Sequence, residues 1–328
     1  MAANEKKTSQ VGTDLTLVAI MQRFSTEEAA RTLLESIRWP DGPVCAHCGV
    51  VNNATKLEGA KCRPGLYQCC DCKKQFTVTV GTIFEDSHIP LNKWLIAFYM
   101  MCASKTQVSA LQLQRQLEIG SYRTAWHMCH RIRFAMADLA PAKLDGIVEA
   151  DEMYVGGKAR GKGRAYVGNK TAVVSVVERG GNVRSRVVSN ARVNREQVRE
   201  ILAESVEPTA HLNTDESSLY TETGKAFAEH STVNHSEEEY SRQDLKTGTT
   251  VTTNTVEGFF GNSKRSMDGT HHHVGRKHLS LYMAELDYKY NTRKASDGAR
   301  TVSGLGMVEG KRLTLRPMKG ADKRGVRV

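Results

Sequence analysis

Ile147-Val148-Glu149-Ala150-Asp151-Glu152-Met153-Tyr154-Val155 is the stretch on which the fold turns. Its apolar positions predict a β-strand, in which the two-residue repeat puts Glu149 and Asp151 on one face and Glu152 on the other. A carboxylate inside such a strand needs a reason, because burying it unpaired is costly. Downstream, Ala172 to Val177 and Val183 to Val188 are β-branched runs separated by Arg179-Gly180-Gly181-Asn182, a strong hairpin signal. A helix from Arg195 to Ser205 follows, then a short strand near Ala210 to Leu212 that leads to Asp215 in Leu212-Asn213-Thr214-Asp215-Glu216. The pattern then predicts a helix from Ser217 to Glu229, a strand at Thr232 to Asn234, and helices over Thr255 to Met267 and Arg276 to Tyr290.

The result is a mixed α/β unit with acids at matched places. Asn254, Glu257 and Lys264 are spaced to project from one helical face. A strand-borne Asp, an Asp after a later strand and a helix-borne Glu or Asn suit a polynucleotidyl-transfer sheet. There the carboxylates of Asp151 and Asp215 approach across neighbouring strands and the helix supplies the third group. Such a cluster can hold two hard divalent cations about 3.5–4 Å apart, one at the attacking and one at the leaving oxygen of a phosphodiester.

Outward toward the N-terminus, residues 89–140 turn helical. Val108 to Glu118, the break at Gly120-Ser121, and Tyr122 to Ala135 predict helix, tight turn, helix, with Arg115, Arg123, Arg131 and Arg133 set against Glu118. A basic second helix fits a DNA-reading helix-turn-helix, and an ordinary helical hairpin has the same pattern. Before it, residues 44–88 are short strands and turns carrying Cys45-x-x-Cys48 and Cys69-x-x-Cys72. Two such knuckles place four thiolates around one zinc ion, and the closed sulfur set makes the site structural. His47, Cys62 and Cys70 lie nearby without paired spacing, and Cys102 and Cys129 sit in apolar helical surroundings that favour packing. Residues 1–43 form a polar leader and a helix opened by Ser25-Thr26-Glu27-Glu28, a capping-box pattern.

The chain has 328 residues and a formal net charge of +10, which favours a polyanionic partner. The longest apolar stretch, Trp94 to Ala103, is far short of the ~20 residues that span a bilayer. The N-terminus lacks an apolar signal region, so the expected location is cytoplasmic. Lys158 to Lys170 holds five basic residues and no acid, and Lys311 to Val328 holds seven against Asp322 alone. Residues 296–328 are accordingly expected to form a basic, disordered tail. Lys264 and Arg265 are placed to grip phosphates. His271, His272 and His273 read as a phosphate contact or structural turn rather than a metal site. Gly156-Gly157-Lys158 lacks P-loop spacing.

Longer motifs add a resemblance. Arg38-Trp39-Pro40-Asp41-Gly42 before the first knuckle, Tyr67-Gln68-Cys69, and Phe76-Thr77-Val78-Thr79-Val80-Gly81-Thr82-Ile83-Phe84 resemble the zinc-ribbon segment of a bacterial insertion-sequence transposase group. The likeness continues through Glu149 to Lys158, Asn254-Thr255-Val256-Glu257-Gly258-Phe259-Phe260, His272-His273-Val274 and Lys277-His278-Leu279. The group is the ISXO-like, or fifteen-ninety-five, insertion-sequence transposases, and the resemblance covers residues 20–295.

It implies an RNase H-like DDE transposase domain over residues 145–295. It also implies Mg²⁺ or Mn²⁺ at the catalytic site, cleavage at element ends and joining of the freed 3′-hydroxyl to target DNA. Carried over by motif, Asp151 and Asp215 are the first two carboxylates. Members use either Asn or Glu as the third, which leaves Glu257, favoured by its charge and its spacing to Lys264, and Asn254. Thr252 stands where the group often has His. DNA contacts are expected from Lys264, Arg265, Arg115, Arg123, Arg131 and Lys158. The expected partners are terminal inverted repeats, target DNA and further copies of the chain in a bacterial, nucleoid-associated assembly. Two other functions share these features: an inactive zinc-ribbon DNA-binding regulator, and a nuclease that cuts without joining.

Overall fold

The computed structural model describes residues 15–157, 170–188, 192–244 and 248–314. Two compact units emerge, one from Met1–Ala137 with Thr292–Val328 and the other from Asp138–Asn291. The first unit opens with α1 (Leu17–Arg23) and α2 (Glu27–Arg38). The Thr26 hydroxyl accepts from the Ala29 N–H and caps α2, while Ala30, Leu33 and Leu34 form its buried stripe. A three-stranded antiparallel sheet follows, β1 (Ala54–Leu57), β2 (Leu66–Cys69) and β3 (Gln75–Phe76). Strand β3 stops at Phe76, where the chain enters turns.

Three helices complete this part: α3 (Leu91–Ala103), α4 (Ala110–Gln116) and α5 (Tyr122–Met136). The α4–α5 connection is a tight turn. Ile119 N–H returns to the Gln114 carbonyl at 2.9 Å and Glu118 takes the left-handed φ of 50° that usually falls to glycine after a helix. Ser121 then caps α5.

The second unit is built on a five-stranded mixed sheet. Its strands are β4 (Ile147–Val155), β5 (Thr171–Glu178), β6 (Val183–Val187), β7 (His211–Asp215) and β8 (Glu229–Val233), in the order β6-β5-β4-β7-β8. β4, β5 and β6 are antiparallel neighbours, and β7 and β8 run parallel to β4. Helix α6 (Arg195–Ser205) covers one face over Val148, Ala150, Val174, Val176 and Leu212. Its capping box joins Asn194 and Gln197.

A small hairpin, β9 (Ser241–Gln243) with β10 (Thr250–Thr252), precedes α7 (Asn254–His271). Together α7 and α8 (Leu279–Asn291) pack on the opposite face over Met153, Val173 and Val177. Edge strand β6 is sheltered by α8: Asp287 accepts from the Ser185 N–H and hydroxyl, and Asn291 bonds both backbone groups of Val183. In place of the expected helix at Ser217 to Glu229 stand turns and a 3₁₀ segment, Thr223–Ala226, before β8.

The chain then returns to the first unit as α9 (Asp297–Gly306). This corrects the expectation of a disordered tail from residue 296. Thr301, Val302, Leu305, Val308 and Leu313 are buried, and α9 packs on α2, α3 and α5. Lys311 donates to the carbonyls of Ala135 and Ala137, so even a basic residue here finds an interior partner at the end of α5. Residues 315–328 lie outside the described residues, as do 1–14.

Candidate active site

β4 and β7 pair in parallel with Glu149 opposite Asn213. The same register carried two residues further sets Asp151 level with Asp215, and the two-residue repeat turns both toward the side that α7 covers. Glu257 lies one turn into α7, its side chain 42% exposed. Asn254, the first residue of α7, is exposed.

Asp151 is pushed up to about 7 by burial, to which the charges of Glu152, Asp215 and Glu257 add; the Glu152 N–H, 2.7 Å from Oδ1, opposes the shift. Asp215 is also raised, by burial first and by Glu216 and Glu257, against the Ser217 N–H and His235. Among the described residues only the four cysteines form a group of three or more His, Cys, Asp or Glu side chains close enough to hold a metal ion, so Asp151, Asp215 and Glu257 are electrostatic neighbours that do not close into such a group. Hard oxygen donors that repel one another fit a divalent cation.

Glu149 has the reason its strand demanded. It is fully buried and ion-paired with Arg179 at 2.8 Å. It also accepts from the Thr255 N–H at 2.7 Å, the Thr255 hydroxyl at 2.8 Å and the Val256 N–H at 3.1 Å. These are orphan donors in the first turn of α7, where a carboxylate is favoured. Arg179 adds a bond to the Thr250 carbonyl of β10 at 2.7 Å. Glu149 thus fastens the helix carrying Glu257 to the strand carrying Asp151. Glu152, on the opposite face as expected, accepts from the buried Tyr220 hydroxyl at 2.8 Å. Asn213 is fully buried on the Asp215 side, and among the described residues neither amide atom has a partner.

Sequence reasoning missed His235. Its Nε2 lies 3.1 Å from Thr253 Oγ1 and 3.3 Å from Glu257 Oε1, and the Thr253 hydroxyl donates to the same Glu257 oxygen at 2.8 Å. Glu216 tethers the segment from below, accepting from the His235 N–H and from the Ser236 N–H and hydroxyl. Those bonds, led by the Ser236 hydroxyl, hold Glu216 down at about 2. His235 sits in a polar stretch with no helix or strand period, so no sequence signal marked it.

The expected DNA contacts divide. Arg115, Arg123, Lys264 and Arg265 are exposed, and Arg265 bonds Asn262 on its own helix. Lys158 lies outside the described residues. Arg131 is a correction: only 6% exposed, it donates to the Glu85 carbonyl and lies 5.5 Å over the Trp94 ring. The C-terminal half of α5 is buried around its circumference, leaving Tyr122, Arg123 and Thr124 at its start to meet an outside partner. The histidine run forms a turn, with His272 at φ 56° and the His271 ring edge-on to Tyr282.

In the first unit Cys45, Cys48, Cys69 and Cys72 converge, with Cys45–Cys72 sulfurs 3.7 Å apart and Cys48–Cys69 3.6 Å. Both knuckles close alike: Gly49 N–H returns to Cys45 and Lys73 N–H to Cys69, each from a left-handed residue after the second cysteine. Four sulfurs at one point fit a structural zinc ion. His47 turns to the Gln75 carbonyl, and Cys70 to Thr55.

Residues 25–75 match the transposase zinc-ribbon domain and residues 143–291 match the ISXO2-like transposase domain. The class is therefore a zinc-ribbon transposase. Within it, the chain belongs to the ISXO2-like insertion-sequence transposases. An uncharacterized protein in transposable element ISH50 of Halobacterium salinarum is 27% identical over 281 residues, which is 80% of this chain and 90% of that protein. No helix among the described residues is long and apolar enough to cross a membrane.

Proposed function

We propose that the second unit is an RNase H-like, DDE-type catalytic domain that cleaves phosphodiesters at insertion-sequence ends and joins the freed 3′-hydroxyl to target DNA. The observation that carries this reading is the approach of Asp151 and Asp215 on adjacent parallel strands, with Glu257 on the helix fastened above them and its charge helping to raise the pKa of both aspartates. The sheet order, three antiparallel strands followed by two parallel ones, supports the RNase H-like assignment.

Asp151, Asp215 and Glu257 would hold Mg²⁺ or Mn²⁺. When bound, such ions supply Lewis-acid neutralisation of charge at the phosphodiester and favour ionisation of the attacking hydroxyl. The chain's own residues do the rest. Glu149 and Arg179 hold α7 against β4, and Lys264 and Arg265 bind phosphates along the exposed face of that helix. Asn254, one turn from Glu257, is the rival third ligand. In the first unit Arg115, Arg123 and Tyr122 form a surface for the terminal repeats, as the start of a recognition helix does. Holding two element ends calls for more than one copy of the chain.

The test is a labelled element-end duplex incubated with Mg²⁺ and target DNA. Joined product from the wild type, absent in Asp151→Asn while that variant still binds the duplex, is expected. Cut product without joining would replace this reading with a nuclease, and binding without either product with a regulator.

A further inference from the structure

The side chain of Glu257 is more exposed than those of Asp151 and Asp215 and stands on a different element from the two aspartates, so something must hold it. Around it the hydrogen bonds leave one consistent arrangement. A threonine hydroxyl has one proton, and that of Thr253 goes to Glu257 Oε1, its carboxylate neighbour at 2.8 Å. Nε2 of His235, 3.1 Å from the same hydroxyl, must then be the donor, which fixes the tautomer with its proton on Nε2. That N–H also points within 3.3 Å of Glu257 Oε1. His235 is itself immobilised: its backbone N–H donates to Glu216 Oε2 at 3.0 Å, and its ring lies 5.5 Å from that of Tyr240. Glu216 adjoins Asp215, so the chain of contacts runs from the end of β7 through His235 and buried Thr253 to Glu257.

We propose that His235 is a positioning residue that, with Thr253, orients the Glu257 carboxylate toward Asp151 and Asp215 so that the three bind a divalent cation together. The proposal rests on reading those carboxylates as cation ligands. Hydrogen-bond donors behind ligands commonly account for 10–100-fold in metal affinity. His235 acts through Glu257 and needs no contact with DNA.

The experiment is a Mn²⁺ titration of the full-length, zinc-loaded protein without DNA, following free Mn²⁺ by electron paramagnetic resonance. Wild type, Asp151→Asn, His235→Ala and His235→Gln are compared, with thermal melting alongside. Gln keeps a donor near the position of Nε2. Expected are Mn²⁺ binding by wild type and its loss in Asp151→Asn. His235→Ala should bind about 10-fold more weakly, and His235→Gln should stay within a few-fold of wild type. The Mg²⁺ concentration for half-maximal strand transfer should rise in parallel in His235→Ala, with the rate at saturating Mg²⁺ largely kept. Wild-type affinity in His235→Ala overturns the proposal and leaves the ligand reading standing. Equal loss in Ala and Gln variants, with lowered melting in both, overturns it in favour of a structural role. No Mn²⁺ binding by wild type, or binding unchanged in Asp151→Asn, overturns the ligand reading itself and the proposal with it.

Discussion

Asp151 carries its cost in a form that can be measured. Its carboxyl titrates near 7 in the folded chain, against an ordinary 3.8. The folded state therefore holds a proton that the unfolded state releases, and stability falls as pH rises between those values, staying low above them. In the cation-free protein Asp151→Asn should be the more stable form at about pH 8, by roughly 4 kcal/mol, with the gap closing toward about pH 4. Mg²⁺ should restore the wild type and leave the variant unchanged, as urea denaturation at the two pH values would show. Two arginines of α5 make a second contrast. Arg123→Ala should weaken DNA binding and lower the salt slope by about one, with stability within ~0.5 kcal/mol of wild type. Arg131→Ala should instead cost about 2–3 kcal/mol, through the unpaired Glu85 carbonyl and the gap against Trp94. Duplex binding at several salt concentrations and thermal melting separate the two roles.

Elements were legible where a local pattern settled them. The β5–β6 hairpin follows from alternating β-branched residues around Gly180-Gly181, and the cysteine knuckles from their spacing alone. Asp151 and Asp215 stood out because acids are rare in strands. What the pattern hid was decided by distant partners. Arg131 reads as a basic helix face, yet Trp94 and Glu85 draw it inside. His235 gains its place only when Thr253 and Glu257 arrive from another element. The polar stretch after Asp215 suggested a helix, but its backbone is spent on turns that feed a parallel edge strand. Helix α7 is attached to the sheet through Glu149, which Arg179 neutralises. Arg179→Ala leaves Glu149 buried without its cation and should destabilise the second unit by about 3–5 kcal/mol, with strand transfer falling as α7 loosens. A urea midpoint equal to wild type would contradict that attachment.

Across the whole molecule the chain begins the first unit, builds the second, and returns to finish the first. The composition of the C-terminal region points to a basic tail because lysine and arginine dominate its count, whereas Val302, Leu305, Val308 and Leu313 lie at core positions between them. Each buried aliphatic side chain contributes about 1.5–3 kcal/mol. Deleting residues 297–328 should therefore lower the thermal stability of the first unit and its zinc retention, and Leu305→Ala alone should cost about 2–5 kcal/mol. Melting followed by circular dichroism, with zinc content measured on the same samples, checks both.

Asp151, Asp215 and a group on α7 are proposed to form one cation-dependent phosphoryl-transfer site. That site is tested most directly by strand transfer on a labelled element-end duplex with Mg²⁺, comparing wild type with Asp215→Asn, Glu257→Gln and Asn254→Ala. Joined product is expected from wild type and Asn254→Ala, and none from Asp215→Asn or Glu257→Gln. Joined product persisting in Asp215→Asn would contradict such a site, and product lost in Asn254→Ala but kept in Glu257→Gln would transfer the third role to Asn254.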